Sequence, residues 1–433
     1  MPTLRITSFR ADITPPIGHP MCAGWHPKPA NKLVDNLFAL GVVLVPEGQP
    51  PVVLCAIDWV EVSHADNKLW REKLGKAAGT TADRVAVQCV HTHEGPWPDR
   101  EAQALVEKHD PNTKIMFLDF CDAAIERVAA AVKAAMASLK PVTHIGTGEA
   151  EVRMVASNRR ILGPDGKVKA VRWTATKDPA VRAEPEGLID PMLKTISFWN
   201  GDSKLAALHY YATHPNSYGG VGEITKDFAG LAREQRQAEE PGTAHIYFTA
   251  CAGNVTAGKY NDGNPVNRPV LTQRIHQGLV DSEKKVERFL AERLEWRTVP
   301  VELPPREDFD EKQKISEIAD LSRAGSERIK SAMHLAYLRQ TARHDPTWLT
   351  SLHFGNGIVI VHLPGEPFIE YQLLAQHLRH DAFVAVAGYG DCSGGYICLE
   401  RSYDEGGYEP TDAFVSRKSE SLMVEAIGRL MRQ

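Results

Sequence analysis

Several common signatures are missing from this chain of 433 residues, and each absence removes a class of function. The N-terminus has no apolar core of signal-peptide length, so export by that route is not expected. No apolar run is long enough to span a bilayer, which argues against a transmembrane helix. No block of like charge accompanies the net charge of -5, so nucleic acid is not expected as a partner. There is no phosphate loop, no dinucleotide glycine fingerprint, no Gly-x-Ser-x-Gly elbow and no His-Glu-x-x-His helix. The seven cysteines are an odd number without paired spacing. Cys55, Cys89 and Cys251 sit in apolar runs and read as buried free thiols. Together these features point to the reducing cytoplasm.

Hydrophobic residues make up 43% and charged residues 24% of the chain, the composition of a globular protein. Strands and helices alternate to the end. Apolar runs 37–45 and 51–57 read as a hairpin, 204–211 and 244–250 as strands, and 357–363 and 382–387 as two more. Helices are predicted near 65–77, over 125–139, 228–239, 268–297 and 414–431. The charged stretch 306–335 reads as a solvated helical excursion. No repeat, low-complexity segment or Pro/Gly/Ser-rich hinge divides the chain. The expected fold is therefore α/β, with mixed β-sheets and flanking helices in a single large domain over residues 1–433.

Polar residues cluster where the strands stop. Val85–Val90 runs into His91-Thr92-His93-Glu94-Gly95-Pro96. Side chains two apart on a strand share a face, so His91 and His93 could grip one metal. They could equally supply one ligand and one acid/base. His214 ends a second strand, Thr256 follows a third and Glu366 ends a fourth. Loops at strand ends are where α/β folds build sites. Two imidazoles and a carboxylate with open coordination would make a zinc site of the catalytic kind.

The motifs, taken in order, resemble the catalytic domain of the neutral (non-lysosomal) ceramidases, zinc-dependent amidases that split the N-acyl bond of ceramide. Arg10-Ala11-Asp12-Ile13-Thr14-Pro15 resembles the family's opening, and the His91–Pro96 block its first histidine motif. Ala212-Thr213-His214-Pro215 resembles its second histidine motif, and Ala252-Gly253-Asn254-Val255-Thr256 the block of its active-site serine. Pro364-Gly365-Glu366 resembles its glutamate motif. Tyr396, Tyr403 and Tyr408-Glu409 keep its tyrosine spacing. The resemblance implies zinc on His91, His214, Glu366 and Tyr396. It implies catalytic roles for His93, for Arg159 of the Asn158-Arg159 pair, for Tyr408, and for Thr256 at the serine position. It also implies a small-molecule N-acyl amide substrate.

Three features depart from the family pattern. Threonine stands for serine at 256, no stretch after Tyr408 has room for the family's C-terminal immunoglobulin-like domain, and no secretion signal is visible. The last two turn the expected substrate away from long-chain ceramide. A related hydrolase of a non-lipid amide or ester, and a metal-binding protein that has lost catalysis on the same scaffold, stay open as alternatives.

Overall fold

Three pairs of parallel strands decide where everything else sits. In the computed structural model, which describes residues 4–26 and 28–432, Val52–Ile57 lies parallel to Val85–Cys89, and Ser203–Tyr211 to Ala244–Thr249. Ile358–His362 lies parallel to Phe383–Ala387. Parallel neighbours need a crossover, and each crossover here carries a helix: His64–Ala78, Asp227–Glu239 and Ile369–Leu378. Val52–Ile57 and Val85–Cys89 are buried at every position. That explains why they are apolar at every position but Gln88, because parallel strands covered on both faces need no alternation.

Antiparallel strands complete each sheet. Phe38–Pro46 and Leu4–Asp12 extend the first, Met192–Asn200 and His144–Glu151 the second, and Thr347–Phe354 and Leu294–Val301 the third. The architecture is α/β, with mixed sheets and flanking helices in one domain, as the interleaving predicted. Among the described residues there is no separate C-terminal β-sandwich, and no helix is long and apolar enough to cross a membrane.

The carboxyl ends of the three parallel pairs meet. Buried Gln88 donates through Nε2 to the carbonyls of Leu363, Ala387 and Gly388, at 3.2, 3.2 and 2.7 Å. Thr249 Oγ1 donates to Val90 O at 2.6 Å, and Gly388 N–H donates to Thr249 O at 3.0 Å. Arg233, on the second crossover helix, forks onto Asp58 at the end of Val52–Ile57, with bonds of 2.7 and 2.9 Å and both side chains fully buried. A forked pair fixes orientation as well as distance, so it clamps the second unit to the first.

The structure corrects three of the sequence expectations. The helix expected over 268–297 ends at Lys284. Glu287–Leu290 then pairs with His144–Glu151, and Leu294–Val301 opens the third sheet. Two glycines let the helix end reach that sheet. A Cβ on Gly148 would lie 2.2 Å from Ser282 O, and one on Gly146 2.5 Å from Val286. Of the stretch expected as solvated, Glu311–Ala319 buries only Ile318, but Gly325–Ala342 buries Ile329, Met333, Leu335 and Tyr337 and is a core helix. The closing helix begins at Ser419 rather than Phe414, whose backbone is bonded to Gly394 and Arg306.

His64, at the start of the first crossover helix, sits between Asp391 and Asp345 at 2.5 and 3.1 Å. Burial works against its charge, but the two carboxylates outweigh burial and raise its pKa from 6.5 to about 9. A folded-state pKa above the unfolded value contributes stability that is complete below pH 6.5 and is lost as pH rises through about 9. The expected loss is about 3 kcal/mol. It should appear as a fall in the urea midpoint between pH 6 and 9.5 that His64→Gln does not share.

Candidate metal centre

Each unit delivers one loop to the meeting point. His91 leaves the Val85–Cys89 strand with φ +68°, a left-handed value that is uncommon without glycine. Its neighbours hold it there. His91 N–H bonds to Trp59 O at 3.0 Å, and its ring stacks on Tyr389, itself at φ +60°, with centroids 4.3 Å apart. His91 Nδ1 donates to Val60 O at 3.0 Å. His214 leaves the Ser203–Tyr211 strand, and its Nδ1 donates to Ala252 O at 2.7 Å.

Glu366 follows the Ile358–His362 strand and pairs in register with Tyr396 across a short parallel bridge, which sets the carboxylate beside the phenol. Two glycines permit that approach. Gly365 is at φ +61°, and a Cβ on Gly253 would lie 2.4 Å from Glu366 O.

The tautomers follow from the partners. A carbonyl only accepts, so Nδ1 carries the hydrogen on both His91 and His214, and each Nε2 is left as a bare lone pair. Those lone pairs converge on a third acceptor. Glu366 Oε2 is 3.0 Å from His214 Nε2 and 3.3 Å from His91 Nε2. His214 Nε2 and Glu366 Oε2 are buried without a hydrogen-bond partner. Three facing lone pairs need a proton or a cation among them: burial raises the Glu366 pKa and favours a proton there, and a metal ion at their centre would take that proton's place. Their separations match neighbouring ligands around a metal with bonds of about 2.0–2.2 Å. The residues therefore fit a zinc ion.

Burial lowers the pKa of both His91 and His214 to about 3. That keeps them neutral, the form that binds metal. His93 Nε2 lies 3.2 Å from His91 Nε2, so His93 joins the group, and burial holds it neutral too.

Around this core the structure gathers most of the other predicted residues. Arg159 Nη1 donates to Tyr396 OH at 3.2 Å and to Gly253 O at 3.3 Å, while its Nε lies 3.5 Å from Glu409. Glu409 also holds Arg160 at 2.7 Å. The Arg159 guanidinium lies 5.1 Å from the centroid of the Tyr408 ring, and Tyr408 packs edge-on against Trp173 and Tyr396. Thr256 is placed differently. It is fully buried, its hydroxyl donates to Arg172 O at 3.2 Å, and it accepts from Gly258 N–H at 3.3 Å. Both bonds go to the main chain.

Sequence reasoning passed over Glu61, Tyr389 and Trp173. Glu61 is fully buried, lies 3.6 Å from His91 Nδ1, and has its pKa raised well above the carboxylate range by burial and by nearby groups that include Glu366. Its signal was available, because Asp58–Glu61 follows a buried strand just as His91 does. Tyr389 likewise follows Phe383–Ala387 directly.

By sequence the chain matches no family model and no curated protein. By structure it is similar to a solved ceramidase complexed with C2, with TM-score 0.73, 14% identity, and coverage of 100% of this chain and 75% of that one. It is also similar to the neutral ceramidase from Pseudomonas aeruginosa, with TM-score 0.71, 15% identity and the same coverage. The fold is that of the neutral ceramidase structures.

Proposed function

We propose that residues 1–433 form a zinc-dependent hydrolase domain that cleaves an N-acyl amide bond, with His91, His214, Glu366 and Tyr396 as the zinc ligands. The observation that carries this reading is the convergence of three buried ligand atoms, on His91, His214 and Glu366, with the two nitrogens 3.3 and 3.0 Å from the shared carboxylate oxygen. When bound, zinc supplies a Lewis acid that activates water and polarises a carbonyl. The chain's own groups then have distinct work. Arg159, held by Glu409, and Tyr408 donate toward the oxygen that gains charge as the carbonyl becomes tetrahedral. Neutral His93 accepts a hydrogen bond from the attacking water and aims it.

The groups around this centre, Arg159, Glu409, Tyr396, Tyr408 and His93, are polar, which favours a short N-acyl amide over long-chain ceramide. The zinc-loaded protein is expected to turn over N-acetyl and N-butanoyl amides faster than long-chain ceramides. Comparable rates across the acyl series would remove the size preference, and no turnover of any amide would remove the reading. The seven free, buried cysteines suit a reducing compartment, and we place the protein in the cytoplasm.

Thr256 tests the share of the serine position. Its two main-chain bonds support a role in holding the loop that follows Val255. Thr256→Ser is expected to keep activity. Thr256→Ala should lose about 1–3 kcal/mol of stability from the unsatisfied main-chain groups and retain its zinc. A fall in kcat of about 10²–10³ in a stably folded Thr256→Ala would instead give the hydroxyl a place in the chemistry.

A further inference from the structure

A second group of metal-binding side chains lies against the first. Cys22, His26 and His93 each offer a ligand atom within 4.8 Å of the other two. Cys22 opens the short turn Cys22–Gly24, where Cys22 and Ala23 take φ of +49° and +55°. Left-handed backbone costs a residue with a side chain about 1–2 kcal/mol, so something must hold the turn. Cys22 N–H bonds to Gly95 O at 3.0 Å, which docks the turn on the loop that carries His93. The His26 ring comes to 6.3 Å from the His93 ring.

Two further atoms point the same way. Nδ1 of His26 is buried without a partner. Glu94, 1% exposed, leaves Oε2 without a partner 3.8 Å from that nitrogen. Such atoms normally find partners, and here the groups left open are those a cation would use.

We propose that Cys22, His26 and His93 form a second metal site, for a borderline-soft divalent ion such as zinc, adjoining the first centre through His93. One thiolate and two imidazoles are ligands of the kind zinc takes, with a fourth position open. Burial, and after it the neighbouring Glu61, Glu366 and Glu94, push the Cys22 thiol up, so the group stays a thiol until a cation takes the proton's place. Binding replaces the thiol proton with the metal and releases that proton to solvent. His93 belongs to both groups, so filling the second site decides whether His93 is free to serve the first.

Titrating metal-free protein with Co²⁺ separates the two sites, because thiolate ligation gives a near-ultraviolet charge-transfer band and nitrogen or oxygen ligands do not. The wild type is expected to take up two equivalents and to develop the band. Cys22→Ser and His26→Ala should each bind one equivalent, Cys22→Ser without the band and His26→Ala with the band lost or strongly weakened. His26→Ala leaves Cys22 in place should Cys22→Ser fold poorly. His214→Ala should also bind one equivalent but keep the band. A wild type that binds a single equivalent without the band overturns the second site and leaves the first standing. A band that persists in Cys22→Ser does the same. If the first centre is the one at fault, His214→Ala will match the wild type in stoichiometry.

Discussion

Replacing His214 by alanine is expected to give a folded protein that holds no metal at the first centre and lacks the proposed hydrolase activity. The ring is fixed by its Nδ1 bond to Ala252 O, and its Nε2 has no other partner. Its removal therefore takes away a ligand and little else. Activity should fall by on the order of 10⁴-fold or more, since the reaction then loses the metal that would bring the pKa of its attacking water down toward neutrality. Stability gives an independent readout. A ligand at a thousand times its Kd contributes about 4 kcal/mol, so a chelator should lower the melting temperature of the wild type by more than that of His214→Ala, which has no first centre to empty. Wild-type zinc content in the variant, or full activity in chelated wild type, would end the metal reading.

Arg159→Ala should lose activity by another route, with the zinc still bound. Removing one donor aimed at a developing oxyanion costs about 10²–10³ in kcat, and the loss should fall on kcat more than on KM. Arg159→Lys is not expected to rescue it. An ammonium cannot bond Gly253 O and Tyr396 OH in one plane while facing Glu409. Glu409→Gln should weaken activity as well, because Glu409 holds both Arg159 and Arg160. An Arg159→Ala variant within threefold of wild type would mean that this arginine only packs the pocket.

The candidate ligands were legible because of where they stand. His91, His214 and Glu366 each follow a buried strand, and a polar side chain at such a strand end is a visible signal in one dimension. Their meeting was not visible. It depends on Gln88 and Thr249 bonding three sheets together, and a glutamine inside an apolar run reads only as a tolerated polar residue. Glu61 was missed because Val60 and Val62 flank it and the eye takes it for surface. The strand Glu287–Leu290 was missed because the residues before it are good helix formers. What ends that helix is bare backbone at Gly146 and Gly148, far off in sequence. Cys22 and His26 lie in irregular chain, where periodicity says nothing.

The Gln88 bonds also bear on the order of events when the chain first folds. Its acceptors lie 275, 299 and 300 positions away. Closing loops of that size is entropically costly and slow, so each strand–helix–strand unit can form locally long before the three dock. The converging lone pairs exist only after docking. A cation therefore has nothing to bind during the search and cannot guide it. A cation bound to the finished frame would act on the return path, slowing unfolding while leaving the rate of folding nearly unchanged.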